Sequence, residues 1–101
     1  MCETKDKYTT RFWAKQVKQI MVSMLTKDNT RFSKRNNGIE LFIFFKGFGN
    51  HFVYKIYENN KLTDRKTIKL NQGKINEFVC FKVLNIGKNS WSYKIIEKGE
   101  K

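Results

Sequence analysis

Apolar residues recur at helical spacing near the start of the chain and predict a helix over Tyr8–Leu25. Trp13, Val17 and Met21 lie four residues apart, so they form one apolar stripe suited to packing on a core. A different face of this helix carries cations at positions i, i+4 and i+7, which is typical either of a solvated surface or of a ridge that contacts phosphates. These cations are Arg11, Lys15 and Lys18.

After Gly38 the apolar period changes to two, which predicts β-strands. In the first strand, the odd positions are all apolar, whereas the even positions mix phenylalanine with charged residues. A turn at 47–50 joins the first two strands into a hairpin. The connector at 26–37 is polar and basic, with a short strand or loop at 31–35. The predicted strands are Ile39–Phe45, His51–Glu58, Arg65–Leu70 and Trp91–Glu97.

The segment Ile75–Leu84 fits both a strand and a helix. Its aromatic and β-branched residues favour a strand, but the spacing of its apolar residues also suits one helix face. We therefore predict an α+β fold with an N-terminal amphipathic helix and a mainly antiparallel sheet of four or five strands. A second helix at 74–84, or a winged-helix variant, is the alternative.

Length and charge limit the classes of protein that fit. With 101 residues the chain is expected to be a single domain, in which residues 1–8 are flexible. It has 21 lysines and arginines against 9 acidic residues, a net charge of +12. Residues 1–38 and 39–101 each carry +6, so the charge belongs to the whole folded surface and not to a basic tail.

Few residues are suited to catalysis or to metal binding. The chain has two cysteines and one histidine, His51, too few for a zinc site or a disulfide framework. No nucleophile motif or nucleotide-binding glycine loop is present. We expect a protein that is not an enzyme and uses no cofactor or metal. No apolar stretch is long enough for a membrane span or a secretory signal, so we expect a cytoplasmic location without membrane binding.

Cations alternate with aromatic residues along the predicted strands. Lysines that bind phosphates beside rings that stack on bases are typical of surfaces for single-stranded nucleic acid. The isoelectric point of about 9.9 also favours a nucleic-acid partner. The candidate nucleic-acid-binding residues are Arg11, Lys15, Lys18, Arg31, Lys34, Arg35, Lys46, Lys55, Tyr57, Arg65, Lys66, Lys69, Trp91 and Lys94.

Residues 46–84 resemble the single-stranded-DNA-binding domain of the transcriptional positive-cofactor family. The likeness lies in the strand Val53–Glu58 and in Arg65–Asn71, a basic stretch with alternating Ile68 and Leu70 that precedes the segment at 74–84. In that family a curved antiparallel sheet is followed by a helix. The resemblance implies that residues 75–84 are helical and that the sheet grips a single strand through Lys46, Lys55, Arg65, Lys66 and Lys69.

These observations favour a small basic accessory protein that binds nucleic acid, with DNA favoured over RNA. A composition rich in Lys, Asn, Ile and Phe suggests an AT-rich gene, as in a phage, a plasmid or another mobile element. The alternative is a phage-type inhibitor that binds an acidic host protein or a defence nucleoprotein. A homodimer is the expected default for a small DNA-binding protein, and an aromatic face used for assembly is a third interpretation.

Overall fold

The computed structural model describes residues 10–27, 39–86 and 90–100, and these residues form one helix and one five-stranded antiparallel sheet. The strands lie in the order β3-β2-β1-β4-β5, and every neighbouring pair is antiparallel. The predicted α+β class is therefore confirmed. The elements are α1 (Thr10–Lys27), β1 (Leu41–Phe48), β2 (His51–Glu58), β3 (Lys61–Lys69), β4 (Glu77–Leu84) and β5 (Ser92–Glu100).

Helix α1 lies on one face of the sheet through the apolar stripe that its sequence predicts. Trp13, Val17 and Met21 are fully buried. The Trp13 ring stacks on Phe45 with 5.0 Å between ring centroids and meets Phe52 edge-on at 5.2 Å. Because these rings contribute a large buried apolar area, Trp13 is the main anchor between helix and sheet.

Alternation along the strands supplies the rest of the core. On β1 and β4 every second residue is buried, and the residues between them are partly exposed. This period of two sends one set of side chains to the helix and the other set to the opposite side of the sheet. The large apolar strand residues buried on the helix side are Leu41, Ile43, Phe45, Phe52, Ile56, Val79, Phe81 and Val83.

Two tight turns connect the first three strands. Asn59 and Asn60 both have positive φ, as a two-residue hairpin loop between β2 and β3 requires. Asn59 also ties the turn to β1: its backbone N–H donates to the carbonyl of Glu40, and the N–H of Glu40 donates to Asn59 Oδ1, both at 2.8 Å. Gly49, with φ +65°, turns the chain from β1 into β2.

The connection from β3 to β4 crosses the end of the first hairpin. The N–H of Leu70 donates to the carbonyl of Asn50, and the N–H of Ile75 donates to the carbonyl of Gly49, each at 2.7 Å. Ile75 is buried against Gly47, where a Cβ atom would lie 2.6 Å from its side chain. Glycine at position 47 therefore allows the crossing chain to pack directly on β1.

The structure corrects two sequence predictions. Residues 77–84 form β4, so the helix that we considered at 74–84, and the winged-helix variant with it, are wrong. This segment forms a strand and not a helix because Val79, Phe81 and Val83, at every second position, pack into the core beside β1. Strand β3 starts at Lys61 rather than Arg65, since the Asn turn needs only two residues. The predictions for residues 1–8 and 31–35 fall outside the described part.

No helix within the described ranges, Thr10–Lys27 included, is long and apolar enough to cross a membrane.

Candidate nucleic-acid interface

The side of the sheet opposite α1, which we call the open face, presents a mixture of aromatic and cationic side chains. Strand register assigns its members, and no helix of the described chain lies over it. From β3 across to β5, the open face comprises Leu62, Arg65, Thr67, Lys69, His51, Val53, Lys55, Tyr57, Phe42, Phe44, Lys46, Phe48, Phe78, Cys80, Lys82, Leu84, Ser92, Lys94, Glu97 and Gly99.

Four rings, which we call the aromatic centre, occupy the middle three strands of the open face: Phe42, Phe44, Tyr57 and Phe78. Tyr57 lies directly opposite Phe42 in the β1–β2 register. Phe44 and Phe78 stack with 6.1 Å between centroids and 28° between planes. All four are partly exposed, unlike the fully buried Phe45 and Phe81 of the helix-covered face. These rings therefore keep π-surface available for a ligand.

A glycine in the edge strand makes room for one of these rings. Gly99 pairs with Phe78, and a Cβ atom on Gly99 would lie 2.6 Å from the Cζ atom of that ring. The ring of Phe78 thus lies over the backbone of β5 in the space that a side chain at position 99 would fill. This contact extends the aromatic centre toward the edge of the sheet formed by β5.

Cations lie on both sides of the aromatic centre. Five lysines and one arginine project from the open face, and Glu97 is the one acidic residue among the strand positions that form it. Lys82 holds its Nζ 5.7 Å from the centroid of the Phe42 ring. The six are Lys46, Lys55, Arg65, Lys69, Lys82 and Lys94.

Two pairs of cations oppose each other directly across neighbouring strands. Lys55 lies opposite Arg65 between β2 and β3, and Lys82 lies opposite Lys94 between β4 and β5. Like charges in directly opposing positions destabilise a sheet. The charge of Lys82 is partly offset by Glu40, whose Oε2 lies 3.7 Å from the Lys82 Nζ, but the Glu40 side chain is 55% exposed, which weakens the pair. Such an arrangement is unfavourable for folding and favourable for a polyanion.

A shallow depression of about 480 Å³ lies between the aromatic centre and the β2–β3 turn. Burial raises the pKa of the Cys80 thiol that lines it, and the negative charge of Glu97 raises this pKa further. The depression thus offers apolar surface, one cation, an amide and a thiol. Its lining residues are Phe42, Phe44, Lys55, Tyr57, Asn60 and Cys80.

The structure divides the predicted site residues between two opposite surfaces. The strand residues Lys46, Lys55, Tyr57, Arg65, Lys69 and Lys94 belong to the open face. The helix residues Arg11, Lys15 and Lys18 are exposed on the other side of the molecule.

Two predicted strand residues also lie on the helix side. Lys66 pairs with Tyr54 and borders a groove beside α1, and Trp91 packs against the core. Neither belongs to the open face. Arg31, Lys34 and Arg35 lie outside the described residues.

Sequence reasoning missed Lys82 and three of the four rings as site residues. The signal was present in β4, where Phe78, Cys80 and Lys82 alternate with three buried apolar residues. Because residues 75–84 also fit a helix, the sequence alone does not assign their side chains to faces of a sheet. Phe42 and Phe44 share a strand face with Lys46, but the sequence does not say which face of the sheet the helix covers.

Among residues 10–27, 39–86 and 90–100, no group of three or more metal-ligating side chains comes together. Comparison with known proteins finds no matching family model, no matching curated protein and no matching solved structure.

Proposed function

We propose that the protein binds single-stranded nucleic acid, DNA in particular, on the open face of its sheet. The observation that carries the proposal is the pairing of like charges around exposed rings. The opposing cations Lys55 and Arg65 flank the aromatic centre on one side, and Lys82 and Lys94 flank it on the other. A surface that places cations in destabilising positions beside stacking platforms suits a ligand with both phosphates and bases.

Bases would stack on the central rings while phosphates run past the flanking cations. Phe44 lies beside the depression and next to Lys55 in the register, so one base and its phosphate can be held by neighbouring strands. Antiparallel sheets that recognise RNA stack two or three bases on their aromatic residues. The aromatic centre is of similar extent, and we expect it to hold about two or three bases.

Unpaired bases explain why a single strand is the better ligand. In a duplex the base faces are already stacked on one another, so the rings of the open face have nothing to contact. The helix cations Arg11, Lys15 and Lys18 are exposed on the other side of the molecule, away from the aromatic centre. They are suited to weak attraction of single-stranded and duplex DNA alike, because contacts to phosphates do not depend on whether the bases are paired.

The test is a titration of labelled single-stranded and duplex oligonucleotides at two salt concentrations, with random and AT-rich sequences. The proposal predicts tighter binding of the single strand and a steep loss of affinity with salt. Equal affinity for both forms would show that stacking on the rings does not contribute to binding and that only electrostatic attraction does. No binding to either form at low salt would overturn the proposal and leave the inhibitor of an acidic protein surface as the better interpretation.

A further inference from the structure

Strand β5 forms one edge of the sheet, and its outer side pairs with no other strand of the described chain. It is nine residues long, and Ser92 to Lys98 are all exposed. The side chains of Ile95 and Ile96 are 42% and 47% exposed. Unpaired N–H and C=O groups along such an edge can accept another strand.

The two edges of the sheet differ in charge. The outer strand at the other end, β3, has the sequence KLTDRKTIK, with four cations and one acidic residue. Strand β5 has the sequence SYKIIEKGE, whose two lysines and two glutamates cancel. In a chain of net charge +12, two copies of β3 would repel each other, whereas two copies of β5 would not.

The centre of β5 is complementary to itself when read in the opposite direction. It reads Lys94-Ile95-Ile96-Glu97, so an antiparallel copy places lysine opposite glutamate at both ends and isoleucine opposite isoleucine between them. Shifting the register by one residue in one direction places Lys94 opposite the Lys98 of the other copy, and shifting it in the other direction places Lys94 opposite Ile96. One register is therefore favoured over its neighbours by charge.

A bulge in β5 makes this register compatible with the two faces of the sheet. Cys80 pairs with Glu97 and Phe81 pairs with Ile95, which leaves Ile96 as an extra residue. Lys94 and Glu97 consequently lie on the same face, the open one. Two copies related by a two-fold axis normal to the sheet must oppose residues of the same face, and Lys94 with Glu97 meets that condition.

We infer that β5 is a homodimer interface, in which two chains join edge to edge into one ten-stranded antiparallel sheet. The two-fold axis passes between Ile95 and Ile96, and each Lys94 faces the Glu97 of the other copy. Both open faces then lie on the same side of the extended sheet. This inference rests on the edge strand alone and holds whether or not the open face binds nucleic acid.

Molecular mass in solution tests the interface, measured by sedimentation equilibrium without nucleic acid. The wild-type chain is expected at twice its 12.1 kDa. Lys94→Glu and Glu97→Lys each place like charges opposite one another at two positions. Each variant is expected to weaken the dimer by roughly tenfold or more. Lys66→Glu on β3 changes the net charge as Lys94→Glu does, and it should leave the dimer intact.

Mixing the two variants separates a broken interface from a damaged fold. When Lys94→Glu and Glu97→Lys chains are combined, every pair across the axis again joins a cation to an anion. The mixture is expected to recover the mass of a dimer. A wild-type mass of one chain would overturn the inference. So would a dimer affinity that both single variants leave unchanged, or a mixture that stays monomeric although each variant remains folded.

Discussion

Lys55 and Arg65 oppose each other on the open face although either position would accept a neutral or acidic residue at lower cost to the fold. Both project from the face that carries the aromatic centre. A pair that opposes folding but favours an anionic ligand predicts opposite effects of one substitution on stability and on binding. At the scale of the residue, this opposition distinguishes a binding surface from a merely solvated one.

Arg65→Glu replaces a repulsive pair by an attractive one. We expect the free energy of unfolding to rise by about 0.5 kcal/mol, measured by urea denaturation, and the affinity for single-stranded DNA to fall. Lys66→Glu is the matched control, since it changes the net charge equally on the helix side and should weaken binding much less. Equal losses of affinity in the two variants would show that only total charge matters.

Phe44→Leu keeps an apolar side chain but removes the ring beside the depression. Base stacking on an aromatic side chain is worth about 1–3 kcal/mol, so the affinity for a single strand should fall by about 5- to 150-fold. Tyr93→Leu removes another exposed ring, on the helix side of β5, and should leave the affinity unchanged. Fluorescence anisotropy with a short labelled oligonucleotide measures both. A comparable loss in the Tyr93 variant would argue against the open face.

The elements differ in how far local sequence determines them. The bounds predicted for β2, His51–Glu58, match the structure, because apolar residues alternate between a glycine turn and an asparagine turn. Helix α1 was predicted from its apolar stripe. The sequence of β4 is compatible with both a strand and a helix. Its pairing with β1 determines that it forms a strand. That pairing is a non-local contact, so no local pattern could reveal it.

The packing of β4 against β5 has a direct test at Gly99. In Gly99→Ala the new methyl group would lie 2.6 Å from the Phe78 ring, so that ring must move. We expect a loss of about 1–2 kcal/mol in the free energy of unfolding, measured by urea denaturation. The double variant with Phe78→Leu should recover much of the loss, because the smaller side chain leaves room. If the two losses simply add, Gly99 and Phe78 are not in contact as described.

For the whole molecule, the net charge of +12 does not say where a ligand binds. The sequence predicts the helix and most strands, together with the alternation of cations and rings. It does not predict which strands become neighbours, so it cannot tell that Lys55 opposes Arg65 or that Lys82 opposes Lys94. The fold sorts the cations into an open face with rings and a helix surface on the opposite side.

The most direct test of the central claim compares two triple variants that each replace one arginine and two lysines by glutamine. One set lies on the open face (Lys55, Arg65, Lys69) and the other on the helix (Arg11, Lys15, Lys18). The measurement is the slope of log affinity against log salt for single-stranded DNA. The magnitude of the slope should fall by about 2 in the open-face variant, and by much less in the helix variant. Equal slopes in both variants, or a loss confined to the helix variant, would contradict binding on the open face.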